Sequence, residues 1–455
     1  MSRFVSSPLL VLGHGHQYPQ TGEIMLRASI TVFGAGYVGL VTATCLARSG
    51  HSVTLLDTNG LRIEALNAGH SPIHEPGIES LLADGVRAGN LRFVLGSPEA
   101  IDLGDFQFVA VGTPVTHGGA ADLRQVRAVV DTILASGQTG NTVIMKSTVP
   151  PGTGAHFAAK LAPHGIGYVS NPEFLREGTA IADWDDADRI VLGGDSAAAD
   201  KVAGLYDDSS STIVRTSIAT AELVKYASNA FLATKISFIN EIAAVCDLVN
   251  ADVVEVARAV GLDRRIGKAF LNAGIGYGGS CFPKDTQALS FLSSFNGYDF
   301  TLLKAVIEVN SRQRMLPVKA LRDRLGDLTG HRVAVLGMAF KPDTDDTRES
   351  PGIDIAYMLL AAGASVAGYD PLGLAQVNDP QFSQCATISE AMAGTSAVIV
   401  ATEWPQIVNA DWHVLVSSMV EPRVVYDGRN ALDGASIRKA GGCYVAVGRP
   451  AECSV

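Results

Sequence analysis

The sequence predicts an α/β protein in which two doubly wound, mostly parallel sheet domains are joined by a long central helix. Three observations carry that prediction. A strand, Ser29-Ile30-Thr31-Val32-Phe33, runs straight into Gly34-Ala35-Gly36-Tyr37-Val38-Gly39 and an apolar helix to about Ser49. A second strand and glycine turn, Arg332-Val333-Ala334-Val335-Leu336-Gly337, begin the pattern again. Between them, residues 205–260 contain neither glycine nor proline, which makes this the chain's longest candidate for continuous helix.

In the first domain, Gly34 makes the tight turn, Gly36 lets the backbone approach a pyrophosphate, and Gly39 lets helix and strand pack closely. The next strand, Ser52 to Leu56, ends at Asp57, 18 residues after Gly39. An acid there binds a ribose 2′-hydroxyl and repels a 2′-phosphate, so the expected cofactor is NAD rather than NADP. Further strands are expected at Phe108 to Val111, Thr142 to Met145, Gly167 to Ser170, Ile190 to Leu192 and Thr212 to Val214, with helical patterns between them. Gly112-Thr113-Pro114, Lys146-Ser147-Thr148 and Asn171-Pro172-Glu173 each follow a strand directly, on the edge where such sheets bind ligands. Each also reads as ordinary loop chemistry.

The central helix is expected from about Ala219 to Asn250, apolar on several faces and roughly 45–50 Å long at 1.5 Å per residue. Packing against a twin in a symmetric dimer is the simplest way to bury it. Lys225 and Asn229, four residues apart, share one face of it. A second helical stretch is expected at about Leu303 to Arg324. The second sheet then continues at Ser365 to Tyr369, Ala397 to Ala401, Val424 to Tyr426 and Tyr444 to Val447. Its turn lacks the full glycine fingerprint, so it is assigned a different ligand. Lys341, Arg348 and Arg429 are its cationic candidates for phosphate.

Composition narrows the function classes. At 455 residues the chain exceeds the usual single-core size, and its 47% apolar fraction leaves ample core. No run of 18 uninterrupted apolar residues occurs, which argues for a soluble protein. Within residues 1–24, Pro8-Leu9-Leu10-Val11-Leu12 is too short for a signal-peptide core, so this segment reads as a disordered extension and Met25 as the functional start. Six cysteines without paired CxxC spacings fit neither a disulfide framework nor a structural zinc site, and a cytoplasmic setting is expected. A net charge of −11 gives nucleic acid and anionic membranes no general attraction.

The segment richest in chemistry is Gly278-Gly279-Ser280-Cys281-Phe282-Pro283-Lys284-Asp285. Pro283 suits the first turn of a helix, so Cys281 falls just upstream, where the dipole and free N–H groups favour a thiolate, and Asp285 follows one turn later. An inert buried cysteine in an ordinary turn is the alternative. A simple alcohol dehydrogenase needs no thiol. Oxidising an aldehyde is different, because the carbonyl carbon must become tetrahedral before a second hydride can leave, and a thiolate makes it so.

These motifs together resemble the UDP-glucose/GDP-mannose dehydrogenase family, the nucleotide-sugar 6-dehydrogenases. The resemblance runs from about Met25 to Leu432 and includes Lys146-Ser147-Thr148-Val149-Pro150, Asn171 to Gly178, Lys225 to Phe231, Gly276 to Asp285 and Phe340 to Pro351. It implies two Rossmann-like domains, NAD in residues 25–215, a central dimerisation region in residues 216–325 and a UDP-sugar site in residues 326–455. It makes Cys281 the nucleophile and Asp285 the carboxylate that assists thioester hydrolysis. Lys225 and Asn229 match residues that stabilise the oxyanion and orient water, and Thr148 and Glu173 match residues of the water network. The first general base is left between Lys225 and a water linked to Glu173 or Asp285. Cofactor contacts are expected from Gly34, Gly36, Tyr37, Val38, Gly39, Asp57, Arg62, Thr113, Thr148, Glu177, Lys284 and Arg348. Substrate contacts are expected from Glu173, Phe174, Leu175, Lys225, Asn229, Tyr277, Gly278, Phe340, Lys341 and Arg429. Arg265 matches an arginine that reaches the substrate of the other subunit of a homodimer. The UDP-glucose branch fits best; GDP-mannose or a UDP-N-acetylhexosamine as substrate, and a two-electron hydroxyacid dehydrogenase, are the rivals.

Overall fold

The computed structural model describes residues 27–96, 103–116, 118–206 and 209–451, so the expected extension at residues 1–24 lies outside the described residues. The first sheet has eight strands: β1 (Ser29–Phe33), β2 (Ser52–Asp57), β3 (Leu91–Leu95), β4 (Phe106–Val109), β5 (Thr142–Met145), β6 (Gly167–Ser170), β7 (Ile190–Gly194) and β8 (Ile213–Thr216). Their order is β3-β2-β1-β4-β5-β6-β7-β8, parallel throughout except where β7 runs against β6. The second sheet has six parallel strands, β9 (Arg332–Leu336), β10 (Ser365–Tyr369), β11 (Phe382–Gln384), β12 (Ala397–Val400), β13 (Val424–Asp427) and β14 (Cys443–Ala446), in the order β11-β10-β9-β12-β13-β14.

The central strands of both sheets are buried along nearly their whole length, as expected where helices cover both faces. Successive residues feed opposite cores: Val32, Phe108 and Ile144 enter one and Phe33, Val109 and Val143 the other. The second sheet divides Val333 and Val335 from Ala334 and Leu336 in the same way. Full burial of a side chain such as Phe108 contributes about 1.5–3 kcal/mol.

The long helix spans Ile218–Val249, 32 residues. Ser217 caps its start by accepting the Thr220 N–H at 3.3 Å. It stops because Asn250 turns left-handed, φ 57°, and Asp252 caps the next helix, Val253–Gly261. Its buried stripe joins the two sheets. Glu222 accepts the N–H groups of Gly152 and Gly154 at 2.7 and 2.6 Å on the first side, and Ala243 packs so tightly against Gly448 on the second that a Cβ there would lie 2.5 Å away.

Several boundaries differ from the expectation. The stretch from Leu303 to Arg324 is two helices, Thr301–Gln313 and Leu316–Leu325, because Pro317 has no N–H and its ring clashes with a continuing turn. Strands β3 and β11 were not anticipated, and β4 and β14 begin earlier than expected. Among the described cysteines four are free, and Cys443 is disulfide-bonded, which the spacing did not suggest.

Candidate active site

A cleft of about 810 Å³ opens at the carboxyl edge of β1, β2, β4 and β5. The residues expected around a dinucleotide meet there: Gly34, Gly36, Tyr37, Val38, Asp57, Arg62, Thr113, Thr148, Glu177, Lys284 and Arg348 all line it. Gly39 lies beneath, where a Cβ would collide with the Gly34 carbonyl oxygen. Gly34 itself has φ 105° and no room for a side chain against the Ala110 carbonyl oxygen, 2.6 Å from a Cβ placed there. Gly36, by contrast, has open space before it, and with Asp57 at the end of β2 this fits a dinucleotide. Asp57 accepts the Ala35 N–H at 2.6 Å and the Asn59 N–H at 2.7 Å, and Arg62 stands 3.7 Å from it.

Cys281 is on the wall of the same cleft. It is the N-cap residue of helix Phe282–Phe295, with proline in the first turn. The turn before it is shaped by glycines: Gly276 and Gly279 have φ 94° and 82°, and a Cβ on Gly278 would strike the Glu349 carbonyl. Tyr277 is clamped by Asn310, which accepts its N–H at 2.8 Å and donates to its carbonyl at 3.1 Å.

Two buried polar pairs from the long helix face this segment. Lys225, 4% exposed, donates to Glu173 at 2.8 Å, and Asn229 donates to Asp285, 1% exposed, at 2.6 Å. Lys284 also donates to Asp285 at 2.5 Å. Burial works to raise the Glu173 pKa, but Lys225 outweighs it and holds the carboxyl below its usual range. Burial likewise opposes the Lys225 ammonium, yet the Glu173 carboxylate beside it, with Asp285 behind, keeps it firmly charged. The thiol departs from expectation. Burial pushes Cys281 up to about 11, although Lys225 pulls the other way, so desolvation outweighs the neighbouring cation and favours the thiol.

The expected sugar-side residues are partly gathered. Leu175 lines the cleft and donates its N–H to Glu173 at 2.7 Å. The Phe174 ring lies under the Arg189 guanidinium at 4.0 Å and the Lys225 ammonium at 5.5 Å. Phe340 packs against Gly279, and Lys341 lies over the Phe340 ring at 5.5 Å with burial pulling its pKa down. Arg429 ties the second domain to the cysteine segment, donating to the carbonyls of Ala401 at 2.7 Å and Gly276 at 3.0 Å. Arg265 stays outside this cluster. Its side chain is 89% exposed and pairs with Asp263 at 2.7 Å.

Three polar residues of the site had no role in the sequence reading. Ser280 stands 3.7 Å from the Cys281 sulfur and 3.5 Å from Glu177, and its place between Gly279 and Cys281 was the available signal. Lys146, at the end of β5, is buried, donates to Asn171 at 3.0 Å and is pulled down to about 8 by burial. Glu75 had no local signal.

The chain matches three models of one family in succession: the NAD-binding domain of the UDP-glucose/GDP-mannose dehydrogenase family at residues 28–209, its central domain at 219–312 and its UDP-binding domain at 334–434. It is 42% identical to the UDP-glucose 6-dehydrogenase TuaD of Bacillus subtilis over 93% of each chain. It is 43% identical to a UDP-glucose 6-dehydrogenase of Rhizobium meliloti, over 92% of this chain and 99% of that one. A UDP-glucose dehydrogenase from Pyrobaculum islandicum superposes with a TM-score of 0.87 at 40% identity, covering 95% of this chain and all of that one. A UDP-D-ManNAc dehydrogenase from Pyrococcus horikoshii superposes with a TM-score of 0.83 at 27% identity, covering 92% and 99%.

Proposed function

The chain belongs to the UDP-glucose/GDP-mannose dehydrogenase family and is an NAD-dependent oxidoreductase, and on that footing we propose that it oxidises UDP-glucose to UDP-glucuronate in four electrons through a Cys281 thioester, using two NAD+. The observation that carries this reading is a thiol on the wall of the dinucleotide cleft, facing one buried lysine–glutamate pair and one buried asparagine–aspartate pair. The fall from 40% identity with a UDP-glucose enzyme to 27% with a UDP-D-ManNAc enzyme favours the UDP-glucose branch over a UDP-N-acetylhexosamine.

The cleft residues Gly34, Gly36, Asp57 and Thr113 would hold NAD+, which would supply the hydride acceptor for each oxidation. In the first, the C6 hydroxyl loses a proton to a water held by Glu173 or Asp285; Lys225, kept as an ammonium, is better suited to stabilise the alkoxide. The Cys281 sulfur then bonds to the aldehyde carbon as its proton passes to the water held by Glu173 or Asp285, and the carbonyl π bond opens to an oxyanion faced by Lys225 and Asn229. Loss of the second hydride leaves a thioester. Water oriented by Asp285 and Thr148 attacks it, the C–S bond breaks and the sulfur recovers a proton.

The protein acts in this reading as a cytoplasmic homodimer. No helix among the described residues is long and apolar enough to cross a membrane. On the long helix Phe231, Phe238 and Val245 recur every seven residues and stay 66%, 53% and 51% exposed, a face suited to a second copy. Arg265, exposed and outside its own site, is then free to reach the partner's substrate. Mixing an Arg265→Ala chain with a Cys281→Ala chain should restore activity that neither has alone; no recovery under subunit exchange removes the cross-subunit role.

A panel of UDP-glucose, GDP-mannose and UDP-N-acetylhexosamines with NAD+, counting NADH per product, tests the whole reading. The expected result is two NADH per UDP-glucuronate. One NADH with release of an aldehyde rules out the four-electron route, and faster turnover of another sugar reassigns the substrate.

A further inference from the structure

Glu75 is a carboxylate buried without an evident reason. It is 5% exposed, in the loop ahead of helix Ile78–Arg87, and hydrogen bonds rather than an ion pair compensate its burial. One oxygen accepts the Gly178 N–H at 2.8 Å and the Tyr37 phenol; the other accepts the Ile181 N–H at 3.5 Å. The Tyr37 oxygen in turn accepts from the same Gly178 N–H at 2.8 Å.

Each partner leads to a different part of the site. Tyr37 sits inside the glycine fingerprint and lines the cofactor cleft. Gly178 closes the loop that carries Glu173 and Glu177, and at φ 85° it leaves no room for a Cβ, which would lie 2.7 Å from the Asp343 carbonyl of the second domain. Beside it, Glu177 accepts from Thr344 at 3.1 Å and Ser280 at 3.5 Å, the latter next to Cys281. A single carboxylate therefore joins segments far apart in sequence, at the point where the cofactor cleft, the acidic loop and the second domain converge.

We propose that Glu75 is a positioning residue that locks the cofactor loop, through Tyr37, to the loop of residues 173–178, so that dinucleotide binding and sugar oxidation share one register. For its effect on turnover the inference rests on the function proposed above; for its effect on dinucleotide binding it does not. Removing the carboxylate takes away the acceptor of the Tyr37 hydroxyl and leaves the Gly178 N–H to the Tyr37 oxygen alone, so the two loops are held by one of the three links they shared.

The test is a fluorescence titration with NADH and steady-state kinetics on Glu75→Ala, Glu75→Gln, Tyr37→Phe and the Tyr37→Phe/Glu75→Ala double variant, with a thermal melt of each. Glu75→Ala is expected to weaken NADH binding and lower kcat, each about tenfold, with the double variant falling short of the product of the two single effects because both residues share the Gly178 N–H. Glu75→Gln keeps one acceptor and should recover part of both. The proposal is overturned if binding and kcat stay within about twofold of wild type while only the melting temperature falls, or if the Tyr37 and Glu75 effects multiply. Should Glu75→Ala not fold, the same twofold criterion applied to Glu75→Gln decides. The NADH titration contains no sugar, so a wild-type protein that binds NADH but does not turn over UDP-glucose would condemn the assigned substrate and leave the Glu75 test standing.

Discussion

The two sheets begin alike and end differently. In both, the first six strands follow the order 3-2-1-4-5-6, and the glycine after the central strand has φ 105° and donates its N–H at 2.7 Å to the end of the next strand, Gly34 to Leu56 and Gly337 to Tyr369. In both, a second glycine lies so close that a Cβ would hit the first one's carbonyl, Gly39 on Gly34 and Gly352 on Gly337. They part at the acid. Asp57 accepts two backbone N–H groups and still faces the cleft. Asp370 accepts from Met338, Ala339, Leu372 and Gly373 and from the Trp404 indole, between 2.6 and 3.0 Å, and is buried. Where the first turn has the open Gly36, the second has buried Ala339. A doubly wound sheet thus becomes a dinucleotide crevice only when its acid and its second glycine are left unspent. Strand order alone does not decide it.

The contrast can be broken most severely at the thiols. Cys281→Ser should lower steady turnover by about a thousandfold or more, since serine is a weaker nucleophile and its ester a slower leaving group. Intact-mass spectrometry after UDP-glucose and NAD+ should find an adduct of UDP-glucuronyl mass on the peptide with residue 281. Cys385→Ser, in the second domain and remote from the cleft, should keep kcat within about twofold. Near-wild-type turnover by the Cys281 variant would remove the thiol from the chemistry.

Next come the paired acids. Asp370→Ala strands several buried donors and should cost about 3 kcal/mol or more in urea unfolding, with little change in the KM for NAD+ of the protein that remains folded. Asp57→Ala should do the reverse, raising that KM about tenfold and narrowing discrimination against NADP+ with a smaller loss of stability. If both variants fail in the same way, the two crevices do not differ as described.

The smallest effect tests the junction between the domains. Burial first, and then Asp346, raise the Glu177 carboxyl to about 7, against the pull of Arg348. A carboxyl whose folded pKa lies above its unfolded value stabilises the protein most at low pH, and that contribution is lost as pH rises through about 4.5 to 7. Glu177→Gln should therefore flatten this decline in urea midpoints measured across the same interval. An unchanged pH slope would show that Glu177 is not buried as described.

The first crevice was legible because its signals are local: a strand, three glycines at fixed spacing and an acid at the next strand's end all lie within Ser29–Asp57. The helix starting beside Cys281 was legible for the same reason, through Pro283. Strands β3 and β11 were not, since Arg92 interrupts the apolar run of β3 and β11 is only 3 residues long, two of them exposed polar residues. The anchors were hidden by distance along the chain. Glu75 meets Gly178 across 103 residues and Glu177 meets Thr344 across 167, and no window of sequence contains either pair. The thiol's raised pKa was illegible too, because it follows from walls contributed by segments far apart.

The seat of Gly448 on Ala243, with the Gly448 carbonyl accepting the Val253 N–H at 2.9 Å, has a consequence for how the chain is made. The long helix leaves the ribosome early, but the last piece that covers this part of it emerges some two hundred residues later, on the order of 10–40 s at ordinary elongation rates. For that interval the nascent chain carries an apolar rod with one flank bare. Quality control in the cell will therefore meet this protein first as a finished cofactor domain trailing an uncovered helix, and a ribosome that stalls before codon 448 releases a product whose fault lies at its centre rather than at its end.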